Sequence, residues 1–263
     1  MFLQPWEQRQ VPAQAAGLLA DVLVDVGQQV EQGAVLVKMD DREQLIARDR
    51  AKVELGVVKQ RLQHAQEKVA LKAELFEIAA NAFERAIESN RTATDSVPQA
   101  ELEKLRGAKQ QAKYDLSESK HELQILESTV SLKEQDLHSA ECELAKRTII
   151  APILGEVVDV HIRSGEWIEP GEPLVRILRT DKLMVETLIP SNATIDQLEN
   201  MSVNLIVDMP NHPSSEFTGT IDFVSPEVGA VDGQSRIRIR VDNSQMALRP
   251  GFQVRFLKPL PTQ

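Results

Sequence analysis

His138 and Cys142 stand four residues apart, a spacing that puts two side chains on one face of a helix, where an imidazole and a thiolate can share a metal ion. No third ligand accompanies them, and no Met-rich stretch suits a soft metal. The pattern therefore reads as solvated helix side chains in preference to a metal site. His64, His121, His161 and His212 are scattered along the chain. No nucleophile elbow, phosphate-binding loop or paired-carboxylate constellation is present. The residues offer no catalytic, cofactor-binding or metal-ligating set, so the expectation is a protein that is not an enzyme and needs no cofactor.

Composition excludes further classes. A formal net charge of −10 argues against nucleic acid, because phosphate binding needs a basic footprint, and the same charge is repelled by anionic headgroups. Aromatic residues make up 4% of the chain, too few for a base-stacking platform. No apolar run approaches the length that spans a bilayer. The opening residues Met1-Phe2-Leu3-Gln4-Pro5-Trp6-Glu7 lack the basic stretch and apolar core of a secretory signal. Cys142 is the single cysteine, which rules out an internal disulfide.

The elements that would position any site follow from an internal repeat. Residues 17–39 superpose on residues 155–177 without a gap, at an offset of 138. Gly17, Asp21, Val22, Gly27, Glu31, Gly33, Leu36 and Val37 fall on Gly155, Asp159, Val160, Gly165, Glu169, Gly171, Leu174 and Val175. Alternation around Leu19 and Val157 suits strands with one buried face, and the inner glycines sit where the chain must turn sharply. One copy cannot close a core, whereas two can pack face to face as a small sandwich. Trp167, in the second copy, reads as core or as a domain contact.

Residues 41–146 are different in kind. They hold two glycines, Gly56 and Gly107, and one proline, Pro98, among strong helix formers. Leu55, Leu62, Val69, Phe76 and Phe83 recur every seven residues, as do Leu102, Leu116, Leu123, Val130, Leu137 and Leu144 with one gap. That is a heptad seam. Lys72, Lys109 and Lys133 interrupt it, as a coil two helices thick allows. The polar stretch Asn90–Asp95 breaks the pattern, Ser96 with Gln99 predicts a capping box with Pro98 in the first turn, and Asp40 with Glu43 predicts the cap of the first helix. Helices of roughly 50 residues extend about 75 Å, and antiparallel pairing predicts facing residues whose numbers add to about 186.

Beyond residue 178, strand-like runs at Leu183–Ile189, Val203–Val207, Phe217–Val224, Arg236–Val241 and Val254–Leu257 suit a small antiparallel β-barrel. Ser191–Leu198 reads as a short helix at one mouth. The fold class is α+β and multidomain: a split lipoyl-like (barrel-sandwich hybrid) β domain with an inserted α-helical coiled-coil hairpin, then the barrel. The expected boundaries are 10–40 plus 147–178, 41–146, and 179–259.

In this order and spacing the motifs resemble the hemolysin D-like periplasmic adaptors, or membrane fusion proteins, of tripartite efflux and secretion systems. Gly17, Val24, Gly27, Val30, Gly33, Leu36 and Asp40 match the first half-motif. Ala151-Pro152, Gly155, Val157, Gly165, Gly171 and Leu174 match the second. Leu248, Pro250, Gly251 and Val254 match the barrel's end signature, with Phe252 where a Met is usual. The resemblance implies a periplasmic protein associated with the inner membrane, forming a homo-oligomeric ring between an inner-membrane transporter and an outer-membrane channel; the absence of a nucleic acid partner is expected from the net charge alone. The signal or anchor that most members carry is not read in this chain.

The family's efflux branch meets its channel through a hairpin tip of the form Arg-x3-Leu-x6-Ser. Arg85 and Ser96 fit that spacing, with Ser89 in place of the Leu, and Arg91 completes the candidate partner-binding set. Ser96 fits a helix cap equally well. Two other readings share the fold. A lipoyl or biotinyl carrier would place its lysine where Glu43 stands, while Lys38-Met39 falls too early and Thr180-Asp181-Lys182 follows the second half instead of joining the two. A coiled-coil scaffold of unrelated function differs only in its partners.

Overall fold

The computed structural model describes residues 1–93, 96–190, 198–209, 214–228 and 233–257. Its contacts divide the chain into a β unit, Met1–Asp40 with Lys146–Gln263, and a helical unit, Asp41–Ala145.

Within the β unit, the first repeat copy forms β3 (Gly17–Val22), β4 (Gln29–Val30) and β5 (Val35–Met39). The second forms β7 (Gly155–Val160), β8 (Trp167–Ile168) and β9 (Pro173–Leu178). With β2 (Gln8–Pro12) and β6 (Thr148–Ile150) they build two four-stranded sheets, ordered β2-β9-β7-β4 and β6-β5-β3-β8. Each copy lends its middle strand to the other's sheet. Val30 pairs with Gly155, and Gly17 with Ile168, which are equivalent positions of the repeat. The turn bonds repeat too: Gly27 N–H donates to Val157 O at 2.8 Å and Gly165 N–H to Leu19 O at 2.9 Å. Gly27 and Gly165 turn with φ of +91° and +87°, a region costly for any residue with a Cβ. Gly155 serves a different purpose: a Cβ there would collide with the Leu178 carbonyl of the neighbouring strand.

Through this exchange the two copies share one core. Leu36, Val37, Val157, Leu174, Val175 and Ile177, drawn from both copies, are 0% exposed in it. Trp167 is not part of that core. It is 65% exposed, its indole N–H donating to Glu169 Oε1 at 3.0 Å, because β8 is a two-residue strand whose inward position is taken by Ile168.

The barrel comprises β1 (Leu3–Pro5), β10 (Lys182–Pro190), β11 (Ser202–Asp208), β12 (Ser215–Val228), β13 (Gln234–Asp242) and β14 (Gln253–Phe256), in the order β1-β10-β13-β12-β11-β14. Strict alternation drives it. Ile237, Ile239 and Val241 are wholly buried, while Arg236, Arg238 and Arg240 point outward. Closure comes from the other end of the chain. Leu3 N–H donates to Phe252 O and Gly251 N–H to Leu3 O, and Phe2 bridges Gln253, so the otherwise open edges of β10 and β14 are covered. Leu3 is 1% exposed inside the barrel. Trp6 continues the attachment, its ring 5.2 Å from the Arg238 guanidinium. This strand was not expected from the sequence, since three residues carry no measurable period. The short helix expected at Ser191–Leu198 lies almost wholly outside the described residues.

The helical unit is α1 (Arg42–Thr92) and α2 (Gln99–Ala145), 51 and 47 residues long. Its core is thin. Leu55, Val58 and Val130 are 8–9% exposed, with Leu62 and Leu137 packed against them. The lysines that interrupt the seam bridge the helices: Lys72 to Asp115 at 2.9 Å, Lys133 to Glu54 at 2.8 Å, and Lys109 to Glu84 at 3.4 Å. Lys109 also lies 5.4 Å from the centre of the Phe83 ring. Cross-helix pairs add to between 185 and 193, a register slightly beyond the expected 186. The first cap falls at Asp41, one residue later than expected, and makes no side-chain cap bond.

Candidate functional site at the hairpin tip

Where α1 ends and α2 begins, the organising residue is Asn90. Its Oδ1 accepts the Val97 N–H at 2.7 Å and its Nδ2 donates to Val97 O at 3.0 Å. One side-chain amide thus pairs with both backbone groups of Val97, in the manner of a strand partner. The Ser96 hydroxyl also donates to Asn90 Oδ1 at 3.0 Å. A hydroxyl has one proton, so in the 3.0 Å contact between Ser89 Oγ and Ser96 Oγ it is Ser89 that donates.

The capping box predicted at Ser96 is therefore not formed. Its hydroxyl turns back to Asn90, and the Pro98 carbonyl accepts from Leu102 N–H at 3.1 Å to open α2. Pro98 stands just before the helix, which starts at Gln99. A chain reversing between two paired helices must satisfy its backbone across the gap, and Asn90 does so more directly than a cap.

The expected site residues divide into two groups. Ser89 and Ser96 meet, and their hydroxyls are consumed in the turn. Arg85 and Arg91 do not join that network. Arg91 donates to Glu88 at 3.2 Å. Arg85 is exposed, its Nε donating to Asn81 O at 3.2 Å, beside an open depression of about 720 Å³ lined by Asn81, Glu84, Arg85, Ile87 and Glu88. The tip thus offers outward guanidinium, carboxylate and amide groups around one isoleucine, suited to hydrogen-bonded recognition of another protein surface. Asn90 was legible only as one polar residue among several, because nothing in its neighbours marks an amide that bonds across a turn. Thr94 and Asp95 lie outside the described residues.

The other chemistry-bearing residues stay apart. His138 Nε2 and Cys142 Sγ lie 3.7 Å from each other, and among the described residues no third metal-binding side chain joins them. Asp181, in the lipoyl-like tripeptide, is held by Arg179 through two bonds of 2.7 and 3.0 Å. The guanidinium keeps that carboxyl below its ordinary range against the opposing effect of burial.

A split β-sandwich with a long hairpin inserted between its halves, followed by a closed six-stranded barrel, defines the class of membrane fusion adaptors. The sequence matches the CzcB-like barrel-sandwich hybrid domain over residues 7–178 and the CusB-like beta-barrel domain over residues 191–257. The chain belongs to this family, the hemolysin D-like membrane fusion proteins that serve efflux pumps as adaptors. Among its relatives, a UPF0194 membrane protein of Yersinia pseudotuberculosis is 24% identical over 277 residues, covering 91% of this chain and 82% of the relative. Among solved structures, MacA from Actinobacillus actinomycetemcomitans superposes with a TM-score of 0.59 at 18% identity, covering 97% of this chain and 76% of MacA. The membrane fusion protein Spr0693 from Streptococcus pneumoniae R6 gives 0.57 at 17% identity, over 97% and 96%. Both likenesses concern the fold. Among the described residues no helix is long and apolar enough to cross a membrane.

Proposed function

We propose that this chain is the periplasmic adaptor of an export pump, linking an inner-membrane transporter to an outer-membrane channel. The observation that carries the reading is the hairpin itself. Two helices of 51 and 47 residues hold a polar tip at the end of about 70–75 Å of coil, far more reach than a β-sandwich needs for its own stability. A loop so far along the hairpin from its buried cluster at Leu55, Val58 and Val130 contributes little to folding, which leaves its side chains free to be chosen for a partner. In this reading the chain acts as a homo-oligomeric ring associated with the inner membrane. Arg85 supplies planar, bidentate donors to carboxylates or backbone carbonyls of the channel, while Ser89, Asn90 and Ser96 fix the shape of the turn. Arg91 steers from the rim. No catalytic step is required: the work is assembly.

Two measurements test this. Crosslinking in cells followed by co-purification should recover a transporter and a channel with the full-length protein. Arg85→Asp should abolish export while leaving expression and folding unchanged, since its side chain is exposed and supports no core. Full export by that variant ends the docking role of Arg85. Recovery of neither envelope partner ends the adaptor reading as a whole.

A further inference from the structure

On β7 and β9 the inward side chains Val157 and Ile177 are wholly buried, and alternation turns Glu156, Val158 and Leu178 to the other face, where they are half-buried. Residues 243–250, which follow β13, stand over that face. Together with Thr180, the two sides line a pocket of about 410 Å³, to which the loop contributes Met246, Leu248, Arg249 and Pro250. The sandwich alone does not make this pocket. The corresponding residues of the first repeat copy, Leu18 and Ala20, are exposed.

The loop is held in one shape. Asn243, itself buried, accepts from Leu248 N–H and donates to the carbonyls of Leu248 and Thr180. Met246 N–H donates to Asn243 O at 2.7 Å, and Met246 turns with φ of +50°, a conformation costly for a residue with a Cβ.

Three polar groups of the pocket are not used up by the fold. The Glu156 carboxylate takes a single 3.3 Å bond, from Gln29 Nε2. The Thr180 hydroxyl is buried and has no partner among the described residues, which costs stability until a hydrogen-bonding group completes it. Arg249 is exposed, and among the described residues no carboxylate pairs with it. Apolar walls around a few such groups, at this volume, are the features of a small-molecule site. The chemistry narrows the ligand. A guanidinium takes a carboxylate by paired bonds. Glu156 accepts from an N–H and repels a polyanion, while a wholly apolar ligand leaves all three groups unpaired.

We infer that this pocket binds an N-acyl amino acid, a small amphipathic acid carrying an amide. Its carboxylate meets Arg249, its amide N–H donates to Glu156, and one of its oxygens accepts from the Thr180 hydroxyl. Its acyl chain lies against Val158, Leu178 and Leu248. Such a site lies outside the adaptor reading and does not depend on it.

Calorimetric titration of N-octanoyl-leucine into the full chain, below the concentration at which it forms micelles, tests the site. One saturable event per chain is expected. The methyl ester, which lacks the carboxylate, should bind roughly tenfold more weakly or worse. Arg249→Ala should bring the acid down to the level of the ester and change the ester little. Val158→Phe, which fills the pocket from an outward position, should abolish binding. Thr180→Val should weaken binding roughly fivefold while leaving the Tm of the free chain unchanged or raised, since it removes an unpartnered hydroxyl. A lowered Tm with unchanged binding gives that hydroxyl to the fold and overturns its part in the site. Absence of a saturable event with the parent chain overturns the inference, and so does binding that Arg249→Ala or Val158→Phe leaves unchanged.

Discussion

In the β unit every inward side chain loses its water: the sandwich and the barrel each bury a dozen or more residues in one continuous cluster, many of them at 0% exposure. Among the described residues of the hairpin only five hydrophobic side chains fall below a tenth exposed, and two of those are alanines. The same chain thus uses two ways of holding a shape. Two sheets facing each other enclose a volume, and burial stabilises in proportion to the area removed from water. Two helices enclose only a line, so the hairpin adds charged rungs along that line. The cross-helix bridges leave both partners partly wet, where such pairs are individually weak. They fix register more than they supply stability. The difference leaves one unit held by burial and the other held along a partly wet seam.

Truncating the core of each unit should show the contrast at its largest. Leu174→Ala, at a site with no exposure, is expected to cost about 2–5 kcal/mol in chemical denaturation followed by tryptophan fluorescence. Leu55→Ala in the seam is expected at or below about 2 kcal/mol, read from the helical circular dichroism signal. Equal costs would mean that the coil is drier than two helices permit and would break the comparison.

A pair of asparagines sharpens it with the chemistry held constant. Asn243 in the β unit repeats the arrangement of Asn90: its Oδ1 accepts from Leu248 N–H at 2.9 Å and its Nδ2 donates to Leu248 O and Thr180 O at 2.9 and 2.7 Å. Asn243 is 4% exposed, and truncating it strands buried backbone groups. Asn243→Ala should therefore cost about 1–3 kcal/mol, whereas Asn90→Ala, at the wet tip, should cost no more than about 1 kcal/mol. The tip variant should instead reduce channel recovery in the co-purification assay. A tip variant that unfolds the hairpin would place Asn90 among the residues that hold the fold.

The smallest effect is electrostatic. Arg179 holds the Asp181 carboxyl below its ordinary value, so the pair's contribution is fully present above the unfolded carboxylate value of about 3.9 and is lost as pH falls through the lower folded value. Asp181→Asn should cost about 1 kcal/mol or less at neutral pH, and the gap to the parent should close in denaturation series taken below about pH 4. A gap that persists in acid would assign the loss to hydrogen-bond geometry instead of charge.

Much of this architecture was legible because it is periodic. The repeat at offset 138 marks two matching half-sandwiches, since equivalent turns need equivalent glycines. The heptads mark two paired helices, since a seam must return to the same face every two turns. Alternation along β13 marks a barrel wall with isoleucines inside and arginines outside. These are constraints that each segment carries in its own spacing. What the spacing could not carry are the contacts between segments distant in sequence. The exchange of β4 and β8 between the copies, the closing of the barrel by Leu3, the turning of Ser96 toward Asn90 and the exposure of Trp167 depend on which backbone groups find each other across space. Short strands and single side chains leave no period behind, and only the assembled chain decides their partners.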